Sequence, residues 1–441
     1  MVKTTKFYYS IILLLMIYFL TKVFWDHITF DVTNYLSFIF IILGVILWSS
    51  RINVSSSKIF ILFALFSLYI IFNGLLLTDN IRLVRGLYEY VYYALIFFAM
   101  VGYMRRVTKD DMHKVFKVLA ILGVVLAVLT AVEYVREATI IDIGRFSGSY
   151  LSGRGIVFRP RVFSRSFLSH GVVMAILGFA NLYMYRHEKK KKWLVFYGIC
   201  VIAVLLTLSR GPLAAMGIAT VIYLMDIKKL KTIKKSKIFI SAALFTIGVI
   251  LFYIVFLSNF TPANPQISML LTRVRDTFDW TGDAGNVGRL RIWTFYWDHF
   301  INHNIWIGSG TSITGSSGVN LMMVTESGIL KRLVELGVIG SALNYGLIIL
   351  IIKYSLKKRK ECHGDAITEN MFKLSIAIIS LILINDITLQ STEEIMVSFN
   401  LWFFLALLFV IPNYYMEKPV KLVNGTEGEK DGENLPTESQ R

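Results

Sequence analysis

The residues best suited to chemistry in this sequence are arginines and one glutamate in the hydrophilic breaks between long apolar runs. Arg210 stands in a Leu-Ser-Arg-Gly-Pro turn, Arg289 and Arg291 stand in a longer break, and Glu326 follows them. The planar guanidinium fork of arginine suits bidentate recognition of phosphate and carboxylate. A carboxylate can accept a proton during catalysis. We therefore predict an anion-binding site with Glu326 as its candidate base.

The apolar runs around these residues predict an all-α, polytopic membrane protein. Crossing the hydrocarbon takes about 20 mostly apolar residues per helix. The chain has 441 residues, of which 55% are hydrophobic and 17% charged, so it is too apolar for an ordinary soluble protein. We predict about twelve spans, at roughly 7–24, 35–50, 58–77, 87–104, 114–135, 167–186, 193–208, 212–226, 237–257, 333–353, 371–390 and 396–415.

Lysines and arginines occupy different breaks, and this sets the orientation. Lysine runs at 189–192, 228–237 and 353–360 mark the cytoplasm, because cytoplasmic loops carry the Lys/Arg excess. Threading the spans from a cytoplasmic N-terminus puts all these runs inside and leaves the C-terminus inside. The arginines then face the extracytoplasmic side of the membrane.

The predicted organisation is one membrane domain, residues 1–416, and a disordered cytoplasmic tail, residues 417–441. Its two long extracytoplasmic loops are 136–166 and 258–332, the second of which precedes the tenth span. The net charge of +17 follows largely from topology and from attraction to anionic lipid headgroups, so it does not indicate nucleic-acid binding. Of the two cysteines, Cys200 lies in a span and Cys362 in a cytoplasmic loop, so no disulfide is expected.

The turn at residues 208–212 could bind phosphate. Pro212 suits the first turn of a helix, and that helix would direct unpaired N–H groups and its positive dipole end outward. Arg210 adds a fixed charge there. An interfacial arginine that reaches toward lipid headgroups explains the same residue equally well.

Residues 287–302 are predicted to form an aromatic helix within the second loop. It is typical of a helix at the membrane surface and could also offer an aromatic wall to sugar rings. Arg289 and Arg291 would lie about 200° apart on it, so only one can face a given ligand. We favour Arg291, which is followed by Trp293, and expect Arg289 to be closer to solvent.

Two glycine motifs flank the candidate base. A Gly-x-Gly motif lies at residues 308–310, and a Glu-x-Gly-x-x-Gly motif begins at Glu335. Glu335 stands at the start of a predicted span and is as easily explained by an ion pair with Lys331 or Arg332. Glu326 is the better candidate for catalysis because it lies further into the loop.

The order of these motifs resembles the O-antigen ligase and polymerase superfamily, whose members are membrane glycosyltransferases that use undecaprenyl-diphosphate-linked sugars. The similarity covers about residues 140–345 in motifs. It implies that Arg210 and one of Arg289 or Arg291 grip the diphosphate. Many members carry His-Asn where this chain has Glu326 and Ser327, and a carboxylate can also serve in sugar transfer.

The resemblance implies an inverting, metal-independent polymerase of lipid-linked oligosaccharide repeats, for capsule, exopolysaccharide or O-antigen. Glu326, Arg210 and Arg291 are then the expected catalytic residues, and no cofactor is expected. Flippase and chain-length regulator proteins are possible partners. The residues expected to bind substrate are Arg289, Arg161, Arg165, Trp293 and His303.

Three alternatives remain open at this point. A ligase would transfer the finished glycan to another acceptor. A transporter would use charges within the membrane, for which Glu89 and Asp386 are the candidates. A metal site could involve Asp276, Asp279 and Asp283, although their spacing does not match a calcium loop.

Overall fold

The computed structural model describes residues 2–21, 32–50, 54–137, 140, 149–152, 155–164, 166–225, 284–315, 321–361 and 365–416. Nearly all of them are helical. The helices before the first long loop are α1 (Val2–Leu20), α2 (Val32–Ser49), α3 (Val54–Leu77), α4 (Asn80–Gly86), a π-helical turn (Leu87–Tyr92), α5 (Tyr93–Met104) and α6 (Lys109–Arg136). Those that follow are α7 (Phe167–Glu188), α8 (Lys191–Leu206), α9 (Arg210–Leu224), α10 (Ala284–Asn302), α11 (Gly328–Glu361), α12 (Ala366–Thr388), a 3₁₀ turn (Ser391–Glu393) and α13 (Ile395–Met416).

Side-chain caps fix where several helices begin. The Asp79 side chain accepts a hydrogen bond from the backbone N–H of Arg82 at the start of α4. Thr108 and Asp111 form a reciprocal capping box at the start of α6. Asp365 caps α12 in the same way as Asp79 caps α4. Such caps satisfy N–H groups that have no partner within the helix.

Seven helices within the described residues are long and apolar enough to cross a membrane, and three shorter helices are also apolar. The prediction of a polytopic helical membrane protein is confirmed in this sense. The number of twelve spans stays a prediction, because the predicted span at 237–257 lies outside the described residues. Within the described residues, β1 (Ser149–Ser152) and β2 (Gly155–Phe158) form a short antiparallel hairpin.

Short connections bring many helix ends to one end of the bundle, which we call the loop end. It contains the turns 78–79, 207–209 and 389–394, together with residues 303–315 and 321–327. Contacts tie these segments together: the Gly310 backbone packs closely against Thr78, and the Thr392 hydroxyl donates to the Asp386 carboxylate over 2.8 Å. Helix α13, whose residues 395–414 are largely buried, runs from the loop end through the middle of the bundle.

Candidate functional site

The two glycine motifs of the sequence pack directly against each other at the loop end. Helix α11 is broken at Gly337, where φ is 64° and ψ is −170°. The carbonyl groups of Val334 and Glu335, freed by this break, accept hydrogen bonds from Ser309 N–H (2.8 Å) and Gly310 N–H (3.1 Å). A β-carbon on Gly337 would lie 2.4 Å from the Trp306 carbonyl oxygen, so no larger residue fits. The kink therefore anchors the loop that leads to Glu326.

Helix α10 holds Glu326 in place. The Arg289 Nε donates to a Glu326 carboxylate oxygen over 2.7 Å, and the Trp293 indole N–H donates to the Glu326 carbonyl over 3.3 Å. One helical turn further on, the Tyr296 hydroxyl donates to the carbonyl of Met323 over 2.5 Å. These three residues share one face of the helix because they are spaced four and three apart. The Glu326 backbone is left-handed, with φ of 51°, and its side chain is 36% exposed.

Arg210 reaches the same end of α10 from another direction. It is the first residue of α9, and its Nη1 donates to the Asn286 side-chain oxygen over 3.3 Å. Asn286 lies three residues before Arg289, so the two arginines flank the first turns of α10. The structure thus brings Arg210, Arg289 and Glu326 to one region, which we call the arginine–glutamate site.

A buried arginine outside the expected site set braces the Arg210 turn. The Arg159 Nε donates to the Thr207 carbonyl over 2.8 Å, and its Nη2 donates to the Leu208 carbonyl (3.0 Å) and the Ser209 hydroxyl (3.1 Å). Leu208 has a left-handed backbone with φ of 54°. Arg159 therefore satisfies two carbonyl groups at the end of α8 and supports an unfavourable conformation just before Arg210.

The other expected site residues lie elsewhere. Arg291 is exposed, and the Arg289 side chain, not that of Arg291, contacts Glu326. His303 is also exposed; its Nδ1 lies 2.9 Å from the His299 carbonyl, and the two imidazole rings stack. Arg161 is buried, and its backbone N–H donates to Glu133 over 2.9 Å. Arg165 lies outside the described residues.

A second group of charges is buried beneath the loop end. Lys331 Nζ lies 2.9 Å from a carboxylate oxygen of Glu89 and 3.8 Å from one each of Glu335 and Glu393. Arg85 pairs with Glu89 over 2.6 Å. Glu89, Lys331 and Glu393 line a small cavity of about 30 Å³. The expected pairing of Glu335 with Lys331 is present at 3.8 Å, within a larger network than the sequence indicated.

Arg332 and Asp386 form a neighbouring buried pair. The Arg332 Nη1 donates to the Asp386 carboxylate over 2.6 Å and to the Tyr345 hydroxyl over 3.1 Å. The absence of a side chain at Gly328 makes room for this carboxylate, since a β-carbon there would lie 2.1 Å from it. Both membrane charges considered for transport, Glu89 and Asp386, are thus held in ion pairs.

Burial changes the ionisation of several groups at the loop end. It raises the pKa of Glu393, and the nearby Glu89 carboxylate raises it further, against an opposing effect of Lys331. Burial and the adjacent His303 lower the pKa of His299. Burial raises the pKa of Tyr296 to about 12, so this hydroxyl stays protonated and keeps its hydrogen bond to Met323 at neutral pH.

An open apolar groove of about 420 Å³ begins beside the arginine–glutamate site. Trp293 and Ser327 contribute to its wall near Glu326, and Leu333 and Ile387 extend it along α11 and α12. We call it the tryptophan groove. The groove is apolar along its length, and Arg289 and Glu326 lie at one of its ends.

Among the described residues, no group of three His, Cys, Asp or Glu side chains is arranged to hold a metal ion. The acidic cluster at Asp276, Asp279 and Asp283 lies outside those residues. The groups present at the arginine–glutamate site are two guanidinium groups and a carboxylate, which can bind an anion and accept a proton.

A known protein family matches the part of the chain that holds the arginine–glutamate site. Residues 194–345 match a family model described as O-antigen ligase, which is about a third of the chain. The matched stretch contains Arg210, Arg289, Glu326 and the kink at Gly337. It confirms the resemblance to the O-antigen ligase and polymerase superfamily. No curated protein sequence matches the chain significantly.

Proposed function

We propose that this integral membrane protein polymerises lipid-linked oligosaccharide repeats, with undecaprenyl diphosphate as the carrier, on the outer face of the bacterial cytoplasmic membrane. The observation that carries the proposal is the Glu326 carboxylate held 2.7 Å from the Arg289 guanidinium at the end of the tryptophan groove. An isoprenoid diphosphate has the matching form, because it joins a long apolar chain to an anionic group.

The reaction is a single displacement that inverts the anomeric carbon. A hydroxyl oxygen of the acceptor forms a bond to the anomeric carbon of the donor sugar while the bond from that carbon to the diphosphate oxygen breaks. The electron pair leaves with the diphosphate, and the hydroxyl proton passes to Glu326. No atom or electron is required from a further reactant.

Arg210 and Arg289 neutralise the charge that develops on the leaving diphosphate. Positive groups fixed near a developing anion are often the largest contribution to catalysis. The sequence favoured Arg291 for binding the diphosphate. Arg289 takes this role instead, because it lies on the face of α10 that contacts Glu326. Arg289 also orients Glu326 before the diphosphate binds.

The test is polymerisation by the purified protein supplied with a synthetic lipid-linked repeat. Wild-type protein should produce a ladder of glycans. Arg210→Ala and Arg289→Ala should each lower the rate by about 10²–10³-fold, as loss of one group that stabilises a developing anion does elsewhere. Arg291→Ala, two residues away on the same helix, is the matched comparison. Equal losses in Arg289→Ala and Arg291→Ala would refute the assignment of Arg289.

A ligase is the second candidate, because the matching family model is described as O-antigen ligase. The same displacement would then use a different acceptor, such as a lipid core or a protein. Deletion of the gene distinguishes the two functions. Single-repeat surface glycan in the mutant supports the polymerase, and full-length but unattached glycan supports the ligase.

A transporter of lipid-linked sugar has less support. The intramembrane carboxylates that could serve it, Glu89 and Asp386, each lie within 2.9 Å of a basic partner in the bundle. Reconstituted protein that moves a lipid-linked sugar across vesicles without forming glycosidic bonds would overturn the proposed enzymatic function.

A further inference from the structure

A second apolar groove, of about 400 Å³, lies between α6 and α8. Its walls are aliphatic, with Val128 and Val132 on one side and Ile202 and Leu206 on the other. The one charged residue in its lining is Arg136, the last residue of α6. We call it the α6–α8 groove.

The dimensions of this groove suit the tail of a lipid in a single leaflet. Its α6 wall runs from Ala127 to Arg136, which is about 14 Å at the helical rise per residue. The hydrocarbon core of a bilayer is about 30 Å thick, so the groove covers about half of it. Arg136 stands at the loop end, where the anionic group of such a lipid would lie.

The α6–α8 groove ends at the turn that carries Arg210. Leu206 in its lining is the last residue of α8, four positions before Arg210. On the other side of the turn, a β-carbon on Gly211 would lie 3.2 Å from the Thr388 hydroxyl, and Ile387 beside it lines the tryptophan groove. The Arg210 turn therefore stands between two apolar grooves.

We propose that the α6–α8 groove binds the isoprenoid tail of the acceptor, a second lipid-diphosphate-linked oligosaccharide, with Arg136 facing its diphosphate. This inference rests on the proposed polymerase function. The donor must place its anomeric carbon near Glu326, so its lipid takes the tryptophan groove. The acceptor attacks through a terminal hydroxyl at the far end of its glycan, so its lipid lies further from Glu326.

The test separates the two substrates chemically. A donor with a methylated terminal hydroxyl cannot act as acceptor, and an acceptor linked through an anomeric carbon–phosphorus bond cannot act as donor. Val132→Trp and Ile202→Trp fill the α6–α8 groove from opposite walls. Val125→Trp and Val195→Trp are the controls, since these residues are comparably exposed on the same helices but do not line the groove.

The groove variants should raise the KM for an undecaprenyl-linked acceptor about tenfold, because they displace a few buried methylene groups. The KM for the donor should stay within about twofold. An acceptor glycan that carries no lipid tail should lose this sensitivity. Arg136→Ala should also raise the acceptor KM. Equal behaviour of the groove and control variants in an active enzyme would overturn the inference and leave the proposed function intact.

A binding measurement covers the case in which no polymerisation occurs. A photoreactive amino acid at Ile202 should crosslink to radiolabelled undecaprenyl diphosphate, and unlabelled undecaprenyl diphosphate should compete. Crosslinking without any glycosyl transfer would refute the proposed function but support a lipid-diphosphate site in the groove. Competition by ordinary phospholipid to the same extent would overturn the inference.

Discussion

Replacement of Lys331 by methionine should destabilise the protein strongly. Lys331 Nζ lies within 3.8 Å of three carboxylates and is 6% exposed. Methionine keeps most of the side-chain volume but removes the charge, so Glu89 keeps its pair with Arg85 while Glu335 and Glu393 lose their contact with Lys331. Removing one partner from a buried ion pair costs about 3–5 kcal/mol, because the remaining charge stays buried without compensation.

The size of this loss should depend on pH. Burial and Glu89 already hold the pKa of Glu393 above its ordinary value, and Lys331 opposes this effect. Without Lys331 the pKa of Glu393 rises further. A carboxyl group whose pKa is higher in the folded than in the unfolded state favours folding at low pH, and this advantage is lost as the pH rises through the folded-state pKa. The variant should therefore be least stable at alkaline pH and recover as the medium is acidified.

The free energy of unfolding can be measured by detergent titration of purified protein at several pH values. The double variant Lys331→Met with Glu89→Gln should be less destabilised than the sum of the two single changes, because it removes both members of a 2.9 Å pair. Lys360→Met, at the exposed opposite end of α11, is the control. A loss below about 1 kcal/mol, or one independent of pH, would refute the described ion-pair network.

Three further substitutions test the loop end. Gly337→Ala should lower the free energy of unfolding by more than about 1 kcal/mol, because the backbone there has a positive φ and a β-carbon would meet the Trp306 carbonyl. Gly346→Ala in the same helix is the control and should be neutral or stabilising. Unfolding titrations of the two variants compare them directly. Arg159→Lys should lower the free energy of unfolding by about 1–3 kcal/mol, because lysine cannot donate to both carbonyl groups before Arg210. It should also weaken diphosphate binding, which calorimetry can measure. The pKa of His299 is lower in the folded protein, so on acidification this imidazole is protonated in the unfolded state before it is protonated in the folded state. The free energy of unfolding should therefore fall as the pH drops below about 6.5. His299→Gln should make the free energy of unfolding less dependent on pH in this range.

Local sequence patterns predicted the helical membrane architecture, whereas the chemistry assigned to the arginines and Glu326 stays a prediction. Apolar run lengths predicted a helical membrane bundle, and the aromatic segment predicted at 287–302 corresponds to α10, Ala284–Asn302. The argument that Arg289 and Arg291 cannot face one ligand also agrees with their different environments. The choice between them required the rotation of α10 about its axis, which is set by distant contacts such as Tyr296 with Met323.

Long-range pairings could not be read from the sequence. Lys331 and Glu89 are 242 positions apart, and nothing local to either residue identifies the other. The two glycine motifs were visible, but their direct contact depends on how α11 breaks at Gly337. Arg159 was visible as one of several loop arginines. Its position against the end of α8 arises only when the first long loop folds onto the bundle.

The backbone of Glu326 gives an independent reason to regard its carboxylate as functional. A left-handed conformation costs a residue with a β-carbon about 1–2 kcal/mol, and glycine would adopt it at no steric cost. The loop is already anchored by Tyr296 to Met323 and by the indole of Trp293 to the Glu326 carbonyl, neither of which needs a glutamate side chain. The one described contact that does need it is the pair with Arg289, which is partly exposed and so contributes little to stability. The pair with Arg289 therefore does not offset the backbone strain at Glu326, which agrees with the proposed role of this carboxylate as proton acceptor.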